Sequence, residues 1–397
     1  MIGLAWVGAF VDNLCRPAYY RPYAPNAAGL SMKASYFGCM SYSDRDKFPA
    51  GWPVPPAFHD PEVSQRSYRE GMAECELAES LGFDWISLSE HHYSGNRTTP
   101  NPAVMAAAVA ERCKKARIAL LGQLLPLNNP VRAAEEIGML DNLTGGRLVA
   151  AFMRGTPGED QVYDLNPSEG RERLIEAMDL VLKALTEPQP FSWEGRHYQY
   201  RTVCVWPQPV QRPLPPLIVA TRSGDTVKYA AANRLGLGIS YDHPDDMAVT
   251  VGQYRDWCDE AGWQPAPDDI VYRGGICLGE TDADAERLKD RVEAVGGGSG
   301  TFIGRSLSQA VQAARASGQP GNQPPASPPR ARTGGTIRML NFVGSPDTVA
   351  QQLREYHDKC GVGVVDLAFQ QPGLNHRDIV AEIELFGKEV LPQIREF

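Results

Sequence analysis

The chain has 397 residues, 43% of them hydrophobic, and a formal net charge of −9. That many apolar side chains can bury a large core, which excludes a disordered polymer, and the acidic balance argues against nucleic acid or an anionic membrane surface as a main partner. The eight cysteines, at positions 15, 39, 75, 113, 204, 258, 277 and 360, include no C-x-x-C pair, and no apolar run is long enough to span a bilayer. No zinc or dithiol motif and no membrane anchor are indicated, and a cytoplasmic protein with reduced thiols is expected.

The chain opens on an apolar run, residues 2–11, with no Lys or Arg ahead of it and no small-residue cleavage pattern behind it. A secretion signal is therefore not expected. Residues 1–31 read as an appended or disordered arm, and one domain is expected over 32–397. Strands are predicted at residues 34–39, 85–88, 118–124, 148–152, 217–221, 237–241, 271–277 and 364–369. Several are near-continuous hydrophobic runs, as buried parallel strands require. Helices are predicted at 63–81, 102–114, 130–143, 171–185, 223–234, 247–261, 281–295 and 377–391. Their ends are punctuated: Gly82 closes the first, and Asn101-Pro102 and Asn129-Pro130 open the second and third.

Eight strand-then-helix units with right-handed crossovers favour an α/β fold closed into a (β/α)8 TIM barrel. An open doubly wound sheet is the alternative that pattern alone leaves. Two insertions interrupt the alternation. Residues 187–216, with Trp193-Glu194-Gly195-Arg196 and many prolines, read as an irregular hairpin and crossing loop. Residues 296–335 are rich in Gly, Ser, Pro and Gln around one short helical piece, 307–316, and read as a mobile lid or a disordered linker. A further helix, 347–360, precedes the last strand.

Active sites of such barrels form at the C-terminal ends of the strands. After the second strand comes Ser89-Glu90-His91-His92-Tyr93. Alternation places Ser87, Ser89 and His91 on one face and Ile86, Leu88, Glu90 and His92 on the other, so His91 points into the barrel mouth and His92 bonds to neighbouring loops. Adjacent strand residues diverge and no third ligand stands at helical spacing, which disfavours a metal on the two imidazoles; His91 as core filler is the plain alternative. After the fourth strand, Arg154-Gly155 offers a guanidinium to an anion where backbone can approach it closely. After the fifth, Arg222-Ser223-Gly224-Asp225-Thr226 opens a helix whose amides can cradle a phosphate, although Asp225 also reads as a simple cap. No G-x-G-x-x-G follows a strand, and no Walker A or G-x-S-x-G motif occurs, which speaks against a Rossmann dinucleotide site, nucleotide hydrolysis and serine-esterase chemistry.

The order of these motifs resembles the bacterial luciferase-like flavin monooxygenases. It comprises Ser89-Glu90-His91-His92; Pro126 with Asn129-Pro130-Val131-Arg132; the run from Leu140-Asp141 to Gly146-Arg147; Phe152-Met153-Arg154-Gly155; the 220–231 stretch; and Ile239-Ser240-Tyr241. The resemblance covers residues 32–397. It implies that His91 sits by the flavin ring and acts in proton transfer as oxygen is activated, and that Arg154, Ser223, Gly224 and Thr226 hold the flavin phosphate. It implies further that Gly122, in Leu121-Gly122-Gln123, lies where relatives carry a cis peptide against the ring. Ser240 and Tyr241 would line the pocket, with Phe37 and Gly38 as its floor. Two positions depart from the pattern: Arg222, grouped with the cofactor contacts, stands where luciferase has an acidic residue, and Asp225 replaces a small one.

The function so implied is oxygenation of a small organic substrate by O2 and reduced FMN, the flavin arriving from a transient NAD(P)H-dependent reductase. Relatives often dimerise through the helices beside the second and third strands, so the resemblance implies a possible homodimer, and the sequence leaves the oligomeric state open. Three alternatives stand beside this reading: a deazaflavin coenzyme exchanging hydride on the same barrel, a metal-dependent barrel hydrolase, and a flavin-binding barrel without catalysis. Trp52, Phe58, Tyr93 and Tyr163 are candidates for an apolar substrate pocket or for ordinary packing.

Overall fold

Strands that are apolar on both faces need cover on both, and the chain supplies it with a closed sheet inside a layer of helices. The computed structural model describes residues 31–48, 53–95, 97–155, 159–295 and 340–397. In chain order, β1 (Lys33–Phe37) is followed by α1 (Pro61–Leu81), β2 (Trp85–Leu88), α2 (Pro102–Arg112), β3 (Arg117–Leu124), α3 (Pro130–Thr144), β4 (Leu148–Met153) and α4 (Gly170–Thr186). A hairpin of β5 (Phe191–Glu194) and β6 (Gln199–Val203) then precedes β7 (Leu217–Ala220), α5 (Gly224–Ala232), β8 (Gly236–Ser240) and α6 (Pro244–Glu260). The rest is β9 (Ile270–Leu278), α7 (Asp282–Ala294), β10 (Leu340–Gly344), α8 (Pro346–Cys360), β11 (Val364–Ala368) and α9 (His376–Leu385).

Parallel pairing runs β1–β2–β3–β4–β7–β8–β9–β11 and returns from β11 to β1, an eight-stranded closed barrel. The open sheet is thereby excluded. The predicted starts at Asn101-Pro102 and Asn129-Pro130 hold, each Asn accepting two N–H groups of the first turn, whereas the first helix begins at Pro61, two residues before the predicted 63, capped in the same way by Asp60. Gly82 ends α1 at φ 96°, a left-handed position that suits glycine.

Two features were not legible. β10 pairs with the far half of β9 from Gly275 onward, on the edge that β8 covers up to Arg273. The last helix passes through a π turn at Phe386–Val390 instead of running straight to residue 391. The 187–216 insertion forms the expected antiparallel hairpin, and its return packs on α3. A Cβ on Gly138 would stand 2.0 Å from the Pro207 carbonyl oxygen, so only glycine permits that approach. The expectations for residues 1–30, Trp52 and the 296–335 insertion with its 307–316 helix lie outside the described residues. No helix among the described residues is long and apolar enough to cross a membrane.

Side chains divide cleanly between two layers. Ile86, Leu88, Ile118, Leu120, Ala150, Phe152 and their equivalents pack outward against the helices. Trp85, Ala119, Leu121, Val149, Ala151, Ile218, Val271 and Val364 fill the barrel. Among them lies a charged pair: Asp366, fully buried, accepts from Arg273 Nε at 2.6 Å, Ser35 Oγ at 2.7 Å and Ser87 Oγ at 2.6 Å. Removing one partner of a buried pair strands the other. Asp366→Ala should therefore cost about 3–5 kcal/mol, against about 1 kcal/mol for Ser35→Ala. Urea unfolding followed by circular dichroism reads both, and equal losses would mean that Arg273 finds another partner.

Candidate active site

Because all eight barrel strands are parallel, their C-terminal ends open on one rim. His91, three residues past β2, reaches a cavity of about 40 Å³ whose lining includes Cys39, Arg45, Arg97, Glu159, Tyr241 and Gln370. Its Nδ1 is 3.1 Å from Glu159 Oε1, and its Nε2 is 3.4 Å from Arg97 Nη1. These partners favour the tautomer with the proton on Nδ1, donated to the carboxylate. Burial lowers the imidazole pKa, the Arg97 charge lowers it further, and Glu159 opposes both. The ring is neutral near pH 7. Across the cavity, Arg97 Nη2 donates to the Tyr241 hydroxyl at 3.5 Å, and burial raises the pKa of that phenol.

The neighbouring residues of the Glu-His-His run hold the loop. Glu90 accepts from Leu124 N at 2.9 Å and from Asn128 Nδ2 at 3.0 Å, and lies 3.0 Å from His92 Nε2. His92 also meets the edge of Tyr163 at 5.6 Å. The two imidazoles thus turn to different carboxylates. Among the described residues, no group of three or more His, Cys, Asp or Glu side chains could hold a metal ion.

At the end of β3 the Leu121–Gly122 peptide is cis, and pairing with β4 skips Gly122, a bulge of the kind that re-aims backbone beside sites. A Cβ there would lie 2.7 Å from the Ala151 carbonyl oxygen. The Gly122 carbonyl accepts from Glu90 N at 3.1 Å, and the Leu121 carbonyl accepts from Arg273 Nη2. The Arg273 guanidinium stacks on Phe37 at 3.7 Å from the ring centroid, and Arg97 lies over the same ring at 5.3 Å. Beside this bulge runs an apolar groove, lined by Leu121, Ala151, Met153, Ile218, Gly238 and Ser240. Ser89 is buried, and its hydroxyl has no hydrogen-bond partner among the described residues.

Around the rim, Ser223 precedes α5 but its hydroxyl makes no cap bond. The first intrahelical bond runs from Val227 N to Ser223 O, so the amides of Gly224, Asp225 and Thr226 precede the ladder. Asp225 is 82% exposed and paired with Arg171 at 2.8 Å, which neutralises the charge that would repel an anion. Arg154 is exposed, and its stem lies against Gly170, the residue before Arg171. The first turn of α4 therefore bridges Arg154 to the start of α5. Asp160, beside Glu159, has its pKa raised by burial and feels the Arg154 charge, which ties this end of the rim to the His91 end.

The structure thus places His91 and Tyr241 on the cavity, Phe37 under the Arg97 and Arg273 guanidinium groups, Ser240 on the groove with Gly122 next to its Leu121 wall, and Arg154, Ser223 and Gly224 at the end of β4 and the start of α5. Thr226 is buried in the first turn of α5. Two expected residues stand apart. A Cβ on Gly38 would point toward Cys75 Sγ and Leu88 Cδ2, and Arg222 is exposed with its guanidinium 3.7 Å from Asp242. Phe58, Tyr93 and Tyr163 are all exposed. Sequence reasoning missed Arg45, Arg97, Glu159, Arg273 and Asp366. Arg45 and Glu159 open short 3-10 turns and Arg97 sits on a loop, none of them within a motif. Arg273 and Asp366 carried a usable signal, since a charge inside a buried apolar strand must be paired.

A family model described as Luciferase-like monooxygenase matches the chain over residues 50–361. Among related sequences, the uncharacterized protein y4wF of Sinorhizobium fredii is 34% identical over 175 residues, 44% of this chain and 51% of that one; the chain thus spans about half the length of this relative. The oxygenase component of the flavin-dependent trigonelline monooxygenase of Acinetobacter baylyi is 23% identical over 345 residues, 85% of this chain and 92% of that one. Monooxygenase RslO1 from Streptomyces bottropensis shares the fold with a TM-score of 0.71 and 24% identity, over 91% of this chain and 99% of that one. The oxygenating constituent of 3,6-diketocamphane monooxygenase of Pseudomonas putida, solved with FMN, gives 0.66 and 18%, over 91% and 98%. An F420-dependent secondary alcohol dehydrogenase gives 0.65 and 14%, over 92% and 99%. Matched by that model over most of its length, the chain belongs to the luciferase-like monooxygenase family of flavin-dependent oxidoreductases.

Proposed function

We propose that this chain is the oxygenase component of a two-component system, taking reduced FMN from a separate NAD(P)H-dependent reductase and using O2 to oxygenate a small organic substrate. The observation that carries the reading is the meeting, on one barrel rim, of a neutral imidazole held by Glu159 with an uncommitted Ser223 hydroxyl and the leading amides of α5. The residues fit a flavin mononucleotide. Arg154, Ser223 and the Gly224 amide form a donor set for a phosphate. The bulge at Gly122 leaves a backbone surface that a side chain would obstruct, and the buried Ser89 hydroxyl lacks a partner among the described residues, one that a ligand would supply. Bound there, reduced FMN supplies the two electrons with which O2 is split, one oxygen atom going to the product and one to water.

The chain's own groups exclude water and manage a proton. Phe37, Leu121, Ala151 and Ile218 form a dry wall around the mouth. His91, with Nδ1–H given to Glu159, can accept a proton at Nε2, where Arg97 disfavours its retention and Glu159 favours it. Such a poised base suits a proton that must arrive and leave within one turnover. Tyr241, held in its protonated form, is a hydrogen-bond donor on the same cavity. Outside the barrel, Val104 on α2 and Met139 and Leu143 on α3 are 65%, 52% and 55% exposed, which supports a homodimer through these helices.

His91→Ala should retain flavin binding yet divert oxygen use into free hydrogen peroxide, measured as peroxide released per NADH consumed with a reductase present; unchanged coupling would remove His91 from the reaction. By NMR, the His91 imidazole should titrate below its ordinary 6.5, with Arg97→Gln moving the midpoint up and Glu159→Gln moving it down. Because the folded state resists this proton, the same group withdraws stability as pH falls below the ordinary imidazole value. Arg154→Ala and Ser223→Ala should each weaken FMN binding roughly ten- to hundredfold, the loss of one charge-assisted hydrogen bond, and leave riboflavin binding unchanged. Tighter binding of a reduced deazaflavin than of reduced FMN in the same titration would instead favour hydride transfer without O2.

A further inference from the structure

Three arginines stand at the His91 end of the barrel mouth, Arg45 and Arg273 buried and Arg97 partly exposed, and their partners differ. Arg273 is matched by Asp366 at 2.6 Å. Arg97 makes long contacts to His91 Nε2 at 3.4 Å and the Tyr241 hydroxyl at 3.5 Å, meets the Cys39 thiol and stacks over Phe37. Arg45 gives Nη2 to the carbonyls of Gln370, at 3.1 Å, and of Gln371. Among the described residues neither Arg45 nor Arg97 has a carboxylate within ion-pair distance. The rest of the chain can scarcely supply one, since residues 1–30, 49–52, 96, 156–158 and 296–339 together contain a single acidic side chain, Asp12.

Arg45 is 8% exposed, and burial pushes its pKa down; Cys39, Asp46 and Glu74 offset this only in part, while the Arg97 charge acts with burial. Glu159 is the one carboxylate on the cavity wall, and it is engaged with His91. Two guanidinium groups therefore share one committed anion across a space of about 40 Å³. A water needs roughly 10–15 Å³ by this measure, so the space suits about three waters or one carboxylate head. Buried charge is retained when something pairs with it, and a planar guanidinium fork matches a carboxylate in particular.

We propose that this cavity takes the carboxylate of an anionic organic substrate between Arg45 and Arg97, an inference that rests on the oxygenase reading and names its substrate class. Holding the acid group there sets the remainder of the molecule beside His91, where the oxygen chemistry is run, and rejects neutral analogues by leaving the two cations unpaired.

The full chain, saturated with FMN, is titrated calorimetrically with benzoate and its neutral counterpart benzamide, and with acetate and acetamide. Each carboxylate should bind at least tenfold more tightly than its amide. Arg97→Gln and Arg45→Gln should each remove most of that preference while leaving amide binding as it was, and Arg97→Lys should keep part of it. Equal binding of acid and amide by the unaltered chain overturns the proposal and needs no variant to fold. Retention of the preference in both Gln variants overturns it too. So does benzoate binding that inorganic phosphate displaces, or that occurs only when FMN is left out, since either would make this the flavin's phosphate site. Failure of the unaltered chain to bind reduced FMN at all would overturn the oxygenase reading, whatever the carboxylate titration gives.

Discussion

A carboxylate at the centre of the barrel organises everything above it. Asp366 joins Ser35 on β1, Ser87 on β2 and Arg273 on β9 from its own place on β11, so four neighbouring strands of the closed sheet share one buried anion. The guanidinium so anchored then reaches the Leu121 carbonyl on β3 and lies against Phe37. An uncompensated charge in this position would be expensive, and the geometry that compensates it also fixes the floor of the mouth. The polar core and the site are one construction.

Electrostatic division of labour follows from that floor. Arg273 is neutralised from below and serves as a rigid platform. Arg97 and Arg45 have no carboxylate at ion-pair distance among the described residues, and they set the character of the cavity beside His91. The imidazole stands between the Arg97 charge and the Glu159 carboxylate, opposing influences that leave burial to decide its neutral state. At the other end of the rim Asp225 would cancel a phosphate site, but its pairing with Arg171 turns that charge to solvent. One mouth thus carries two anion-seeking ends and a dry, backbone-lined middle.

Much of the architecture was written in local pattern. Apolar runs at residues 85–88 and 118–124 could only be buried strands, and the Asn-Pro pairs at 101–102 and 129–130 could only be helix starts, because each rests on contacts within a few residues. His91 was legible for the same reason: period-two alternation from Ser87 puts it inward. β10 escaped notice since its pairing depends on β9 being longer than β8, and the π turn at Phe386–Val390 depends on how the last helix packs.

By itself, the sequence determined the strand–helix alternation, the helix ends, the inward face of β2 and the ordered motifs that mark the family. All of these are set by neighbours along the chain. Only the tertiary structure decided which charges are paired. Glu159 meets His91 across 68 positions, and Arg273 meets Asp366 across 93. Closure of the barrel brings those groups together, and no local spacing records it.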